Sequence, residues 1–169
     1  TFLNDELDLP VFKISSGDVT TLPFLEHIAR FGKPIILSTG MATLGEVETA
    51  VGTLRDAGAD ELILLQCVSN YPAAPEDVNL RAMHTMARAF NVPVGYSDHV
   101  SSNEVAFAAA ALGACVIEKH FTLDRDLPGP DHQASLLPDE LRELVLGVRK
   151  VEAALGSGLK LPVEKEAEI

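Results

Sequence analysis

The chain has 169 residues, of which 47% are hydrophobic and 22% are charged. This length and composition are typical of one soluble globular domain, and no apolar run is long enough to cross a bilayer. The formal net charge of −12 disfavours nucleic acid and anionic membranes as partners. An anionic small molecule is not excluded, because local donors outweigh diffuse charge that is screened over about 8–10 Å.

Five apolar runs alternate with helical patterns along the chain. Residues 1–9 are predicted to be the C-terminal part of a helix that is cut within the element, and Pro10 ends this helix. The predicted strands are 11–14, 34–37, 62–66, 94–99 and 115–120, and the predicted helices are 22–31, 43–57, 80–90, 103–112 and 138–155. Continuously apolar strands joined by helices are typical of a parallel α/β sheet that is buried on both faces. The absence of GxGxxG after the first strand disfavours a dinucleotide-binding sheet.

The chain contains only two cysteines, Cys67 and Cys115, and each lies in an apolar, strand-like run. This usage does not resemble a disulfide framework, so we predict two reduced residues in the core. Reduced cysteines are typical of cytosolic proteins, and we therefore expect a cytoplasmic location.

A histidine closes each of the last two predicted strands, His99 the fourth and His120 the fifth. The carboxyl ends of parallel strands open onto one face of the sheet, where binding sites are built. Two imidazoles delivered to that face predict a site for manganese, cobalt or zinc, and magnesium less naturally. The alternative is that both histidines are structural.

Hydroxyl side chains lie at the ends of the first four strands, at Ser15, Ser16, Ser38, Thr39, Ser69 and Ser97. Strand alternation places Lys13 on the same side of the first strand as Ser15. Hydroxyls and glycine-flanked amides around one lysine provide the donors and the positive charge that a phosphate needs. The alternative is that these serines only cap helices.

Three further side chains are candidates for the same site. Glu118 alternates onto the side of His120, where it would orient a ligand, neutralise Lys13 or act as a plain ion-pair partner. Asp131 lies in a loop stiffened by two prolines, which suits a substrate hydroxyl, a proton transfer or simply a rigid turn. Tyr71 is either a wall beside the site or a packing residue.

Six motifs along the chain resemble, in the same order, those of the sialic acid synthases, which include N-acetylneuraminate synthase and the legionaminic and pseudaminic acid synthases. The resemblance covers nearly the whole chain. The motifs are KISSGD, LSTGM, CVSNYP, YSDH, EKHF and PGPD, at residues 13–18, 37–41, 67–72, 96–99, 118–121 and 128–131.

The resemblance implies a TIM (β/α)₈ barrel, of which residues 1–158 would be the last five βα units. Residues 159–169 would be a charged linker towards an antifreeze-like domain. The implied reaction condenses phosphoenolpyruvate with N-acetylmannosamine or a related amino sugar, giving a nine-carbon 2-keto acid and phosphate. Without three N-terminal units we expect the chain to be inactive alone, and the resemblance implies a homodimeric parent.

The resemblance also implies roles for individual residues. His99 and His120 match the ligands of a divalent metal, Mn²⁺ or Mg²⁺. Lys13 and Asp131 are the candidate catalytic residues. The positions that match substrate-binding ones are Lys13, Ser16, Asp18, Ser38, Ser69, Tyr71, Ser97 and Asp131. The alternatives are a non-catalytic sugar-phosphate-binding domain, or another phosphoenolpyruvate-condensing synthase of the keto-deoxy-sugar type.

Overall fold

The computed structural model describes residues 2–168 and confirms the five strands and five helices. The strands are β1 (Phe12–Ile14), β2 (Ile35–Ser38), β3 (Leu62–Cys67), β4 (Val94–Asp98) and β5 (Ile117–Lys119). The helices are α1 (Leu22–Ala29), α2 (Leu44–Asp56), α3 (Arg81–Phe90), α4 (Glu104–Ala111) and α5 (Pro138–Leu155).

All five strands are parallel and lie in the order β1-β2-β3-β4-β5. Each helix therefore connects two neighbouring strands or follows the last one. The register pairs Ser38 with Leu65, Cys67 with Ser97, and Asp98 with Lys119. All strand carboxyl ends consequently lie along one rim, as predicted.

The core accounts for the continuously apolar strands, because both faces of the central strands are covered. Leu37 of β2 and Leu64 of β3 are fully buried, as are Leu25 of α1 and Leu54 of α2. A smaller cluster around Ala106, Leu136 and Leu144 joins α4 to α5. The sheet is therefore best covered at β2, β3 and β4, and more thinly at β5.

The sheet is strongly curved, as a contact between its two edges demonstrates. Lys13 of β1 and Glu118 of β5 approach to 3.5 Å between Nζ and Oε1. In a flat sheet these strands would lie about 19 Å apart, four steps of about 4.8 Å. The five strands therefore form a parallel half-barrel, with β1 and β5 each paired on one side within residues 2–168.

The predicted burial of both cysteines is correct for one of them only. Cys67 at the end of β3 is buried, whereas Cys115 is exposed, and both are free thiols. Cys115 lies two residues before β5, whose three residues are all partly exposed at the edge of the sheet. An apolar run alone does not distinguish a central strand from an edge strand, which explains the error.

The ends of the chain contribute little to the core. Phe2–Glu6 forms a short π-helix, so the start of the chain is helical as predicted, although the helix is shorter than predicted and is not an α-helix. After α5 the apolar residues Leu159, Leu161 and Val163 are exposed, and Glu164–Glu168 forms a 3₁₀ turn. No helix in the described part of the chain is both long and apolar enough to span a membrane.

Candidate active site

A pocket of about 470 Å³ lies at the carboxyl ends of the strands and gathers most of the predicted site residues. Larger grooves of about 540 and 740 Å³ run along α5, and neither is lined by a histidine. We therefore assign the candidate site to the strand-end pocket. Its lining residues are Lys13, Ser15, Ser16, Gly17, Ser38, Met41, Cys67, Ser69, Tyr71, Ser97, His99, Glu118 and His120.

Two predicted substrate-binding residues, Asp18 and Asp131, do not line this pocket. Asp18 accepts a hydrogen bond from the Ser15 hydroxyl at 2.8 Å, in the turn that follows β1. Asp131 is largely exposed, and its Oδ2 lies 4.0 Å from His120 Nδ1. Both carboxylates therefore lie at the rim of the pocket, Asp18 hydrogen-bonded to Ser15 and Asp131 next to His120.

The two strand-end histidines lie together, as the sequence predicts. The ring centroids of His99 and His120 are 5.3 Å apart, and the rings are nearly perpendicular. Tyr71 packs against both rings, at 4.2 Å from His99 and 5.3 Å from His120. Tyr71 is thus a wall of the pocket that restrains both imidazoles, and its burial raises the pKa of its hydroxyl.

The environment of His99 fixes which of its ring nitrogens is free. Nδ1 lies 2.6 Å from the carbonyl oxygen of Val68. A carbonyl only accepts, so Nδ1 carries the proton and Nε2 keeps its lone pair. Burial lowers the pKa of His99, which favours the neutral ring. His99 therefore presents an unprotonated nitrogen, which is the form that binds metals.

The donor set fits a divalent ion held by two imidazoles. Within residues 2–168 no group of three or more histidine, cysteine or acidic side chains lies close enough to hold a metal. His99 and His120 would consequently be the only protein ligands from the described residues. Nitrogen ligands with open positions suit a Lewis-acid centre of borderline softness.

Lys13, Glu118 and Ser97 form a small polar network across the pocket. Glu118 Oε1 lies 3.5 Å from Lys13 Nζ and accepts a hydrogen bond from Ser97 Oγ at 2.7 Å. Lys13 also donates to the carbonyl of Ile14 at 3.1 Å. Of the alternatives considered for Glu118, the structure shows the pairing with Lys13.

A second cluster surrounds Gly40, just after β2. The Gly40 amide donates to Ser16 Oγ at 2.9 Å and to Cys67 Sγ at 3.1 Å. A Cβ on Gly40 would meet Ser69 Oγ at 2.5 Å, so only glycine fits there. Ser38 Oγ is buried and has no hydrogen-bond partner within the described residues, so its hydroxyl is available to a ligand in the pocket.

The sequence analysis gave no role to several residues at this rim. Gly40 and Cys67 belong to the serine cluster, and the LSTGM motif contained the glycine without indicating its contacts. Asp98 and Lys119 form a buried ion pair of 2.7 Å directly before the two histidines. The sequence did contain a signal for this pair, because the residue directly before the histidine is acidic in YSDH and basic in EKHF.

The fold and the site together define a class of protein. It is a parallel α/β half-barrel whose strand ends combine a lysine, several hydroxyls and two imidazoles, the arrangement of a barrel enzyme site for an anionic ligand. The chain belongs to the NeuB family, whose family model matches residues 1–160.

Two curated relatives illustrate the similarity. The N,N'-diacetyllegionaminic acid synthase of Campylobacter jejuni is 51% identical over 166 residues, which cover 97% of this chain and 50% of that protein. The human N-acetylneuraminate-9-phosphate synthase is 44% identical over 162 residues, 94% of this chain and 45% of that protein. The chain thus spans about half the length of the curated relatives it matches.

Two solved structures resemble the fold. The N-acetylneuraminic acid synthetase of Leptospira borgpetersenii, in complex with citrate, has a TM-score of 0.88 at 40% identity and is matched over 96% of this chain and 57% of that one. A truncated 3-deoxy-D-arabino-heptulosonate 7-phosphate synthase from Thermotoga maritima has a TM-score of 0.76 at 20% identity, over 87% and 60%. The second similarity concerns the fold alone, and both neighbours fit a TIM-like barrel.

Proposed function

We propose that this chain carries a large part of the active site of a sialic-acid-type synthase built on a (β/α)₈ barrel. The reaction condenses phosphoenolpyruvate with N-acetylmannosamine or a related amino sugar. C3 of the enol phosphate bonds to the sugar aldehyde carbon, and water adds at C2. The bond between C2 and the phosphate oxygen then breaks, which releases phosphate. The observation that carries the proposal is that two imidazoles, a lysine and an unpartnered serine hydroxyl share one pocket.

Phosphoenolpyruvate is the substrate that the serine side of the pocket suits best. Ser38 Oγ is desolvated and unpartnered among the described residues, so a bound oxygen acceptor would restore its hydrogen bond. Lys13 supplies the positive charge, and Ser16, Ser69 and Ser97 line the same pocket. Charge-assisted donors held in place before the reaction stabilise the phosphate as the C2–O bond breaks.

The amino sugar would occupy the histidine side of the pocket. We assign His99 and His120 as ligands of a divalent metal, Mn²⁺ or Mg²⁺, which when bound supplies Lewis-acid polarisation of the sugar aldehyde. Tyr71 forms the wall of this side by packing on both rings. Asp131, 4.0 Å from His120, is positioned at the rim to bind a sugar hydroxyl or to accept its proton. Asp18, at the rim near β1, is assigned to the sugar as well.

Metal titration and a product assay test this proposal on the complete gene product that contains residues 1–169. His99→Ala and His120→Ala should each lose manganese binding and turnover, and a chelator should abolish the parent's activity until manganese is restored. His27→Ala is the matched control, because His27 lies in α1 and its ring packs on Phe31, away from the pocket. Either site variant binding manganese and turning over like the parent would refute the two-histidine site.

The half-barrel sets an expectation for the chain by itself. Five strands leave open edges at β1 and β5 within residues 2–168, whereas a TIM barrel closes with eight. We therefore propose that residues 1–169 alone bind phosphoenolpyruvate without turnover, as the alternative of a sugar-phosphate-binding domain also requires. A product assay with the complete gene product separates the two, because only the synthase forms a keto acid. We further propose a homodimeric parent, as the family resemblance implies, and a cytoplasmic location, which fits two free thiols.

A further inference from the structure

A buried ion pair lies directly beneath the two histidines. Asp98 and Lys119 are Cα partners in the β4–β5 ladder, and His99 and His120 are the next residues on the two strands. Lys119 Nζ lies 2.7 Å from Asp98 Oδ2, and both side chains are almost completely buried, at 2% and 0% exposure. The ion pair thus crosslinks the two strands at the last paired position before the imidazoles.

Every polar group of this pair has a partner. Asp98 Oδ1 accepts from the hydroxyl of Tyr96 at 3.0 Å and from the amide of Val100 at 2.9 Å. Lys119 Nζ donates to Asp98, to the carbonyl of Val100, and to the carbonyl of Ser102 at 3.1 Å. The pair therefore fixes β4, β5 and the segment after His99 to one another. A buried pair of this kind contributes weakly to stability compared with apolar residues, so its role lies in specifying a geometry.

The two histidines depend on this crosslink to different extents. His99 has its own anchor, the 2.6 Å contact between Nδ1 and the Val68 carbonyl. His120 lies beyond β5, an edge strand of three residues, and the nearest carboxylate to its ring is 4.0 Å away. The backbone of His120 is held by Lys119 on one side and by the hydrogen bond from the Leu136 amide to the His120 carbonyl, 2.9 Å, on the other. Its ring has no hydrogen-bonded anchor like that of His99 and packs only on aromatic neighbours such as Tyr71.

We propose that Asp98 and Lys119 are positioning residues that set the separation of His99 and His120, and so prepare the two imidazoles for a shared divalent cation. This inference rests on the proposed metal site, but it can be tested separately, because it concerns how firmly the two imidazole rings are held in position before any metal binds. Groups that orient metal ligands from behind typically change metal affinity by about 10–100-fold when they are removed.

The test is the double variant Asp98→Asn/Lys119→Met, made in the complete gene product. It removes both charges together while keeping both volumes, so neither charge is left buried alone and the fold is expected to persist. The matched control is Arg149→Ala/Glu152→Ala, which removes an exposed ion pair of 2.6 Å on α5. Thermal unfolding followed by circular dichroism establishes that both variants are folded.

Two readouts separate positioning from a general structural role. In the metal-free protein, imidazole NMR signals of His120 should broaden or split in the double variant, while those of His27 and His84 stay unchanged. Manganese titration should give a dissociation constant raised by about ten-fold or more, with the control unchanged. If the double variant does not fold, Tyr96→Phe removes only the hydroxyl that holds Asp98 Oδ1, and it should alter the same two readouts in the same direction.

An unchanged His120 ring signal in a folded variant overturns the positioning role, and so does unchanged manganese affinity where the parent binds manganese. If the parent binds no manganese, the proposed metal site is wrong. The ring signals of the metal-free protein then decide the positioning role alone.

Discussion

Gly40→Ala is the substitution that tests the serine cluster most directly. An ideal Cβ at this position would lie 2.5 Å from Ser69 Oγ, 2.8 Å from Cys67 Sγ and 3.1 Å from Ser16 Oγ. All three atoms belong to short side chains on neighbouring strand ends, so they have little freedom to withdraw. The added methyl would occupy the space in which we place the phosphate of the substrate.

Two effects set the magnitude for Gly40→Ala. Forcing a methyl into a packed site typically costs about 1–3 kcal/mol. Displacing the Gly40 amide also weakens its hydrogen bonds to Ser16 Oγ and Cys67 Sγ, each contributing about 0.5–1.5 kcal/mol. We expect the free energy of unfolding to fall by about 2–6 kcal/mol as these add, with the upper end reached only if both hydrogen bonds are lost. Displacing even one hydroxyl from a charged ligand costs about 1.5 kcal/mol or more, which is about ten-fold in affinity.

Urea denaturation and calorimetric titration with phosphoenolpyruvate measure the two quantities for Gly40→Ala. The matched control is Gly52→Ala in α2, where a Cβ meets nothing within 4 Å. That control should gain about 0.5–1 kcal/mol from helix propensity and bind the ligand unchanged. A Gly40→Ala variant that is as stable as the parent and binds phosphoenolpyruvate equally well would refute the cluster as a ligand site.

Three further predictions follow from local structure. Thr43→Ala removes the side chain that caps α2 by accepting from the Glu46 amide, and urea denaturation should show a loss of about 1 kcal/mol; no loss would contradict the capping role. Hydrogen bonds from the Leu137 amide and from Arg125 lower the pKa of Glu140. The stability that these hydrogen bonds give to the folded protein is therefore present above the unfolded pKa of Glu140, about 4.3, and is lost as pH falls through its lower folded pKa. Glu140→Gln should therefore reduce the difference in unfolding free energy between about pH 7 and about pH 3, and an unchanged difference would contradict this. The open edges at β1 and β5 should make the isolated chain self-associate in sedimentation velocity, whereas one sharp monomer with cooperative unfolding at high temperature would count against it.

The fold and the rim of the site were predictable because both follow from short-range patterns. Apolar runs of strand length separated by helical periodicity are specific for parallel α/β units. Once the strands are parallel, residues after each strand must share one rim, so His99, His120 and the serines were placed together without knowledge of side chains. The Thr43–Glu46 capping box at the start of α2 is equally local, since its two residues lie three positions apart.

The remainder of the site depends on contacts between distant segments, which no local pattern records. Cys67 lies beside Gly40 because the register pairs Ser38 with Leu65, and both residues lie two positions further along the chain. The exposure of Cys115 depends on the position of β5 at the edge. The rim positions of Asp18 and Asp131 depend on loop conformations. Strand register pairs Asp98 with Lys119, and register is fixed by the packing of whole strands.

The curvature of the sheet links these observations to the proposed chemistry. Lys13 and Glu118 stand on the two edge strands, yet they meet at 3.5 Å in the pocket. Gly95 of β4 permits the close packing that this curvature needs, since a Cβ there would lie 2.5 Å from the Val116 carbonyl oxygen. In a chain with a net charge of −12, an anionic substrate must rely on donors at short range. The curved sheet supplies them by bringing Lys13 and the strand-end hydroxyls within one pocket of about 470 Å³. At such short range the attraction between these donors and an anion is little reduced by salt, whose screening length is about 8–10 Å. The proposed binding of phosphoenolpyruvate would therefore depend on the geometry of the half-barrel, and less on the overall charge of the protein.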